Sequence, residues 1–514
     1  MSITLTAEQL HAVEVLQQNR LVLFSGPPGS GKTTTLAHWL ASKEPDGDRG
    51  ETLYMAPTGK AAQRMTEAFS EADLDARAYT IHSSLAPKFN KSRHSYSGDS
   101  WYFDHDVDNP WHVSRVVVDE ASMIDSFLMR SLMDAVPTGA QLVLCGDPHQ
   151  LAPVGSGKPF LDMLHSGVVS HAQLTEIHRF AGRGAHVCQD IMAGRPPVFS
   201  KEIDLSPSAG PCGPENIVHL EKTTPEQIVD TLRELVKKII IRGMDPIHDL
   251  QVICARNDAG AVSRASLNVI MQDLLNHDGF QIPGTRFRVK DKVMCLKNHD
   301  SVPRSLPDKR TGNGPVTMKL SASARLANGE SGEVAYVDQD CVLVKFPMRS
   351  GYHWFSQKKD SNLTLSYAIT THKSQGGGWP VVAYVIDKAD FIDRSLTYTA
   401  ISRFQLLCCT IGRMGELCRQ IRGLKVKNRN TLLTKRLHGG MPTMSDDYMG
   451  VPNVTLLESN ERFGLFRFED FPDDDPHRIP WSVIHEDSVD RDGKIGTLVV
   501  ETWFAIQKLQ LEED

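Results

Sequence analysis

What the chain lacks narrows its class before any motif is read. Cysteine is scarce, nine residues in 514 with no C-x-x-C pair, and Cys408 and Cys409 adjoin inside an apolar run. That spacing builds neither a zinc site nor a disulfide framework, and it fits a reducing, cytoplasmic setting. No apolar run approaches the roughly 18 residues a membrane span requires. The opening MSITLTAEQL has neither the basic stretch nor the apolar core of an export signal. Positive charge is also short: the formal net charge is −7. The shortage is local, however. Residues 440–514 hold 17 Asp and Glu against 6 Lys and Arg, a net of −11, which leaves 50 basic against 46 acidic residues elsewhere, a net of +4. A mildly basic body with an acidic tail fits a protein that grips a polyanion locally. The remaining 40% hydrophobic and 23% charged composition is that of an ordinary soluble protein, long enough for roughly three domains.

Against these absences one stretch stands out. Leu21-Val22-Leu23-Phe24 runs into Gly26-Pro27-Pro28-Gly29-Ser30-Gly31-Lys32-Thr33-Thr34, which fits G-x-x-x-x-G-K-[ST]. A buried strand ends, glycines let the backbone wrap a polyphosphate, and the next helix turns its N-terminus to the anion. Lys32 is placed to reach the β- and γ-phosphates, and Thr33 to put its hydroxyl on Mg²⁺. Val116-Val117-Val118-Asp119-Glu120 is an apolar run closed by two carboxylates. Following a P-loop, it reads as a magnesium-holding Asp119 and a water-activating Glu120. The run Leu142–Cys145 leads into Gly146-Asp147-Pro148-His149-Gln150, where a strand-end glutamine suits a γ-phosphate sensor. Upstream, Thr6-x-x-Gln9 has the form of a capping box, and Gln9 is equally placed to read an adenine edge.

The rest of the chain alternates α/β signals with inserts. Thr52–Ala56 reads as a strand before the turn and helix of Pro57-Thr58-Gly59-Lys60, and Thr80-Ile81-His82 as a capped helix start. Residues 87–112 form an aromatic insert whose pattern around Tyr96, Trp101, Tyr102 and Phe103 predicts a β-hairpin. Residues 201–224 are rich in Pro, Gly and Ser and mark a junction. Thr224-Pro225 starts a helix to about Ile241, with proline at its first position. Leu250–Cys254 reads as a strand, and Asn257 as the cap of a helix to about Leu275. Between 283 and 360 short strands at 287–294, 328–334 and 341–346 predict a small β-barrel, with basic residues at Lys297, Arg304, Lys309, Arg310 and Lys319. The α/β pattern resumes with a strand over Leu363–Ile369, then Thr371-His372-Lys373, a strand over 381–386, and a helix from Leu396 ending at Arg403.

Taken in order, GPPGSGKTT, APTGKAAQRM, VVVDEASM, GDPHQL, TEIHR, YAITTHKSQG and YTAISR resemble superfamily 1 DNA helicases, specifically the RecD-like and Dda-like branch that moves 5′ to 3′. The resemblance runs from about Leu5 to Leu437. It implies a first RecA-like domain over 1–180 with 87–112 as a strand-separating pin, and a second over 181–437 with 283–360 as an SH3-like barrel. ATP would bind between them, and the acidic extension 438–514 matches nothing in the pattern. The resemblance assigns ATP-site roles to Lys32, Thr33, Asp119, Glu120, Gln150, Arg179 and Arg403, the two arginines as fingers. It gives single-strand contacts to Pro57, Thr58, Lys60, Thr80, His82, Thr371, His372 and Lys373. The expected ligands are ATP, Mg²⁺, single-stranded DNA and duplex junctions, with the extension as a dock for a protein partner and the chain a monomer. Gly376-Gly377-Gly378-Trp379-Pro380 departs from the family's polar residue after the first glycine, which bears on a nucleotide contact at Gly376. Two rivals share the motifs: an RNA helicase or translocase, and an ATP-switched DNA loader without net unwinding.

Overall fold

The computed structural model describes residues 5–42, 51–90, 100–177, 183–199, 217–258, 260–307, 324–347, 349–357, 362–424, Leu433, 454–459 and 464–468. Tyr96, Arg179, Lys309, Arg310 and Lys319 lie outside them. The described residues divide into two compact units, one within Met1–Pro57, Met65–Glu176 and Lys425–Asp514, the other within Thr58–Arg64 and Ile177–Leu424.

The first unit follows from alternating apolar runs and capped helices. In chain order it contains α1 (Ala7–Gln18), β1 (Leu21–Ser25), α2 (Lys32–Ser42), β2 (Thr52–Ala56), most of α3 (Gly59–Glu71), β3 (Ala78–Thr80) and α4 (Ile81–Ser84). There follow β4 (Pro87–Asn90), β5 (Ser100–Phe103), β6 (Arg115–Val118), α5 (Ser126–Ala135), β7 (Gln141–Gly146), α6 (Pro159–Ser166) and β8 (Ser170–Gln173). The main sheet is ordered β3-β2-β6-β7-β1-β8 with every pairing parallel. Parallel strands are covered on both faces, which is why β1 is apolar and buried throughout rather than alternating. Leu23, Val116, Val118, Leu142, Leu144, Met129 and Phe160 lie in one core, and Leu433 returns to the same core from far along the chain. The hairpin β4–β5 pairs Pro87 with Phe103, and Phe103 packs on the core at its base.

The second unit opens with α7 (Arg183–Ala193), β9 (Ile217–Glu221), α8 (Pro225–Ile241), β10 (Leu250–Cys254) and α9 (Arg264–Leu275). Thr224 caps α8 with Pro225 at the first helical position. Then come β11 (Lys292–Cys295), β12 (His299–Ser301), β13 (Ala324–Leu326), β14 (Ser331–Val337), β15 (Cys341–Lys345), β16 (His353–Ser356) and β17 (Leu363–Leu365). β18 (Ala368–Thr370), α10 (Thr371–Ser374), β19 (Trp379–Val385), α11 (Arg394–Ile401), β20 (Phe404–Gly412) and α12 (Met414–Arg422) complete it. A parallel sheet, β18-β10-β19-β20-β9, carries the unit, and an antiparallel sheet, β16-β15-β14-β11-β17, is inserted into it. Further on, β21 (Val454–Ser459) and β22 (Gly464–Phe468) pair antiparallel.

Three local expectations are corrected. The cap of α9 is Ser263, whose side chain accepts from Ser266 N; Asn257 instead takes the Arg264 guanidinium at 2.6 Å. The run 363–369 is two strands: β17 closes the antiparallel sheet, and β18 joins the parallel one. The run 287–294 is strand only from Lys292, because Lys290 is left-handed at φ 73° and Arg288 N donates back to Asp291 in a turn. Asp291 is the hub of this junction. Fully buried, it accepts from Gln272 at 2.6 Å, Asn276 at 2.8 Å and the Tyr367 hydroxyl at 3.0 Å, joining α9 to both ends of the insert.

Candidate nucleotide site and strand-contact residues

The P-loop hangs between β1 and α2. Gly29 and Gly31 adopt φ 80° and 88°, conformations only glycine enters without strain. Gly26 is needed for space: a Cβ there would sit 2.7 Å from Ser30 Oγ and 3.0 Å from the Leu174 carbonyl. Ser30 Oγ is buried with no hydrogen-bond partner among the described residues. Lys32 Nζ donates to the carbonyls of Gly26 at 2.7 Å and Pro27 at 3.1 Å, so its ammonium is folded onto the loop. Thr33 and Thr34 follow in the first turn of α2, half-buried.

The acidic pair faces the same loop electrostatically. Burial pushes the Asp119 carboxyl up to about 6, with Glu120 adding to the rise and Lys32 drawing it down. Asp119 accepts from Glu120 N at 2.8 Å, and Glu120 is left-handed at φ 54°, a strained turn at the strand end. Gln150 is buried, its Nε2 on Asp147 Oδ2 at 3.3 Å. Gln9 closes the capping box. Its side-chain oxygen accepts from Thr6 N at 3.0 Å in a complete capping box, while Nε2 reaches the Ser30 carbonyl at 3.5 Å. A left-handed glycine cradle, a Ser30 hydroxyl without a partner among the described residues, a lysine folded onto the loop and a carboxylate pair suit a magnesium nucleoside triphosphate. Thr33 and Asp119 would hold the metal, which supplies charge neutralisation on the phosphates.

Residues expected to touch a strand differ in availability. In the first unit Pro57 and Thr80 are half-buried and His82 exposed. Thr80 spends its hydroxyl capping α4, and His82 meets the Phe103 ring edge-on at 6.0 Å. Tyr102 is 49% exposed on the hairpin; the side chain of Trp101 lies outside the description.

Thr58 and Lys60 belong to the second unit, with α10 and Arg403. Thr58 Oγ1 accepts from Ala61 N. The Lys60 ammonium lies 4.2 Å over the Trp379 ring. Burial, then Arg64, Lys292 and Arg403, brings its pKa down to about 7. Thr371 is fully buried, its hydroxyl directed to the Cys254 carbonyl at 3.5 Å, so it holds the fold rather than meeting a ligand. His372 is exposed, and Lys373 Nζ donates to Asn328 in the insert at 2.5 Å. Gly376 is left-handed at φ 65° with Ala61 against it, so a side chain there would be strained and tightly packed. Arg403 is 2% exposed and fully engaged: Nε donates to Thr399 O at 2.9 Å, Nη1 to Gly377 O at 3.5 Å and Nη2 to Ser402 Oγ at 3.2 Å.

Sequence reading missed several participants. Arg64 Nη2 donates to Gly378 O at 3.2 Å, and its spacing of four from Lys60 on a helix was the available signal. Glu8 accepts from the backbone N–H groups of Thr175 at 2.9 Å and Glu176 at 3.4 Å, tying α1 to the segment after β8. Ser25 Oγ and His171 Nε2 lie 2.7 Å apart at the root of the P-loop.

Residues 4–206 match the AAA domain family. The ATP-dependent RecD2 DNA helicase of Deinococcus radiodurans is 28% identical over 408 residues, covering 78% of this chain and 48% of that protein. Over about three quarters of its length the chain is similar to RecD-type helicases. The RecBCD enzyme subunit RecD of Mycobacterium tuberculosis is 27% identical over 427 residues, covering 77% of this chain and 67% of that subunit. The chain thus spans about half the length of the first relative and two thirds of the second. A crystal structure of Bacteroides Pif1 bound to single-stranded DNA superposes with TM-score 0.44 at 18% identity, over 80% of this chain and 92% of that one.

Proposed function

We propose that the protein is an ATP-dependent DNA helicase that moves 5′ to 3′ along single-stranded DNA and opens duplex at junctions, in replication, recombination or repair in the cytoplasm. The observation that carries this is the nucleotide cradle. Lys32, Thr33, Asp119, Glu120 and Gln150 stand at the ends of adjacent strands in one parallel sheet, so bound phosphate can move strand ends. Positioning and fixed charge suffice for phosphoryl transfer to water. In this reading Glu120 takes the proton of the attacking water, Lys32 leaves the loop carbonyls for the phosphates, and Arg179 and Arg403 stabilise the transition state. The chain's two RecA-like domains run over 1–180 and 181–437. The hairpin in 87–112 acts as a pin through Tyr96, Trp101, Tyr102 and Phe103, and the antiparallel insert of 283–360 is SH3-like. Pro57, Thr58, Lys60, Thr80, His82, His372 and Lys373 grip the strand's backbone, with little base readout. The extension from 438 docks a partner protein, and the enzyme works as a monomer.

A strand-displacement assay with 5′- and 3′-tailed duplexes of DNA and of RNA tests the reading. Unwinding of the 5′-tailed DNA substrate alone is expected. Preference for RNA would make it an RNA helicase, and DNA-stimulated ATP hydrolysis without displacement on any substrate would make it a loader.

A further inference from the structure

A cavity of about 20 Å³ lies in the first unit beside the acidic pair, lined by Ser122, Pro148, Gln150, Pro153, Lys158 and Phe160 among others. That is room for one water molecule, which needs roughly 10–15 Å³ on the same measure. Two polar atoms of its lining residues, Ser122 Oγ and Gln150 Oε1, are buried and have no hydrogen-bond partner among the described residues. Both residues are more than nine-tenths buried, at 9% and 5% exposure. Such groups are costly to leave unpaired, and proline and phenylalanine walls offer them nothing. Lys158 is engaged with Asp162 at 3.6 Å. The Gln150 amide cannot turn to relieve itself: its nitrogen faces the Asp147 carboxylate at 3.3 Å, which only accepts, so its oxygen must face elsewhere.

We propose that this cavity binds one water, which accepts from the Ser122 hydroxyl and donates to Gln150 Oε1, making Ser122 a positioning residue for Gln150. The proposal rests on Gln150 acting as the γ-phosphate sensor. With its oxygen on the water and one N–H on Asp147, the amide is held with its second N–H left to offer a phosphate oxygen. Ser122 lies in the 3₁₀ turn Ala121–Met123 directly after Glu120, so the water ties the sensor to the turn that carries the general base. Gly146 keeps this corner tight, since a Cβ there would stand 3.0 Å from both Ser122 N and the Phe160 ring.

The test is a series at position 122, read as ATP turnover at saturating single-stranded DNA and as melting temperature. Ser122→Ala removes the donor and should lower kcat by about tenfold with the KM for ATP within about twofold, the pattern of an interaction made in the transition state. Ser122→Val fills the cavity and should be worse. Ser122→Gly leaves space for a second water in place of the hydroxyl and should recover most of the rate. A packing role would rank the variants by melting temperature, with glycine the poorest. Rates that follow melting temperature, or alanine and valine variants as fast as wild type, overturn the proposal. Wild-type protein without ATP hydrolysis would sink the sensor reading instead. The water then stands or falls on a crystal structure, where density in contact with Ser122 Oγ and Gln150 Oε1 is expected and empty density refutes it.

Discussion

The P-loop region and the segment around Arg403 treat their polar groups in opposite ways. In the first, Ser30 Oγ is buried with no partner among the described residues, and Lys32 rests on two carbonyls of its own loop. In the second, Arg403 donates to three groups of its own unit, and Thr371 and Ser374 spend their hydroxyls on the carbonyls of Cys254 and Thr371. A site that leaves groups unsatisfied is poised to gain from a ligand that satisfies them. A site that satisfies them internally must break its own bonds before it can act. On this contrast the cradle would take up a nucleotide once Lys32 leaves its two loop carbonyls, whereas Arg403, in its proposed role, would have to give up three bonds to its own unit.

The largest expected effect tests the open half of the comparison. Lys32→Ala should abolish ATP turnover, because the principal positive charge on the transferring phosphate goes. Glu120→Gln should stop hydrolysis while leaving nucleotide binding largely intact, measured by turnover alongside a fluorescent nucleotide titration. Hydrolysis near wild type in either variant would remove the assignment of the cradle.

The next tests the closed half. Arg403→Ala should lower turnover by about 10³-fold or more if the guanidinium reaches the transition state. If instead its three internal bonds are its whole purpose, the loss will appear in the melting temperature, with turnover per folded molecule unchanged. Arg403→Lys sharpens the distinction, since an ammonium keeps charge but not the fork that engages Thr399 and Gly377 together.

A third prediction concerns the junction that carries the insert. Asp291→Ala strands the buried donors of Gln272, Asn276 and Tyr367, and should lower the stability of the second unit by about 3 kcal/mol. Urea denaturation followed by tryptophan fluorescence would measure it. An unchanged midpoint would mean that the insert is held by its apolar core and not by this hub.

These contrasts divide along what a sequence can carry. The cradle was legible because its demands are local: glycines for positive φ, a lysine and a threonine at fixed offsets, carboxylates ending an apolar run. Thr52–Ala56 and Leu250–Cys254 coincide with their strands because short, largely apolar runs of that length bounded by turn signals have few other fates. Thr224-Pro225 marked α8 through a cap and a fixed φ, both nearest-neighbour effects. What escaped depends on distant residues. Nothing within 363–370 says that Leu363–Leu365 and Ala368–Thr370 pair in different sheets; that is decided by Met294, Val293 and Cys295 on one side and Val252 to Cys254 on the other. Thr371 sits in a segment that resembles a strand grip, yet the neighbouring β10 carbonyl claims it. Ser122 within VVVDEASM gave no signal of its own, since its significance lies in a cavity closed by Gln150 and Phe160.

The smallest effect probes a buried polar group that no ligand is expected to satisfy. His353 is fully buried in the antiparallel insert, neither ring nitrogen within geometric hydrogen-bond reach of a partner among the described residues, its ring edge-on to Phe346 at 5.7 Å. Burial holds its pKa below the ordinary value, with Glu330 and the Ser350 backbone pulling it up and Arg349 and His299 pressing it further down. The neutral form is therefore the folded form. In the unfolded chain the imidazole takes up a proton as pH falls through about 6.5, while in the folded chain it does so only lower. The unfolded state binds more protons across that window, so stability is fully present above pH 6.5 and declines as pH drops toward the depressed value. The slope approaches about 1.4 kcal/mol per pH unit. His353→Phe should remove this contribution, so the difference in urea midpoint between variant and wild type should widen in the variant's favour from pH 7.5 to pH 5.5. A constant difference across that range would mean that His353 finds a proton acceptor in the folded insert after all, and Glu330→Gln in the same series would identify Glu330 as that acceptor if the difference then reappeared.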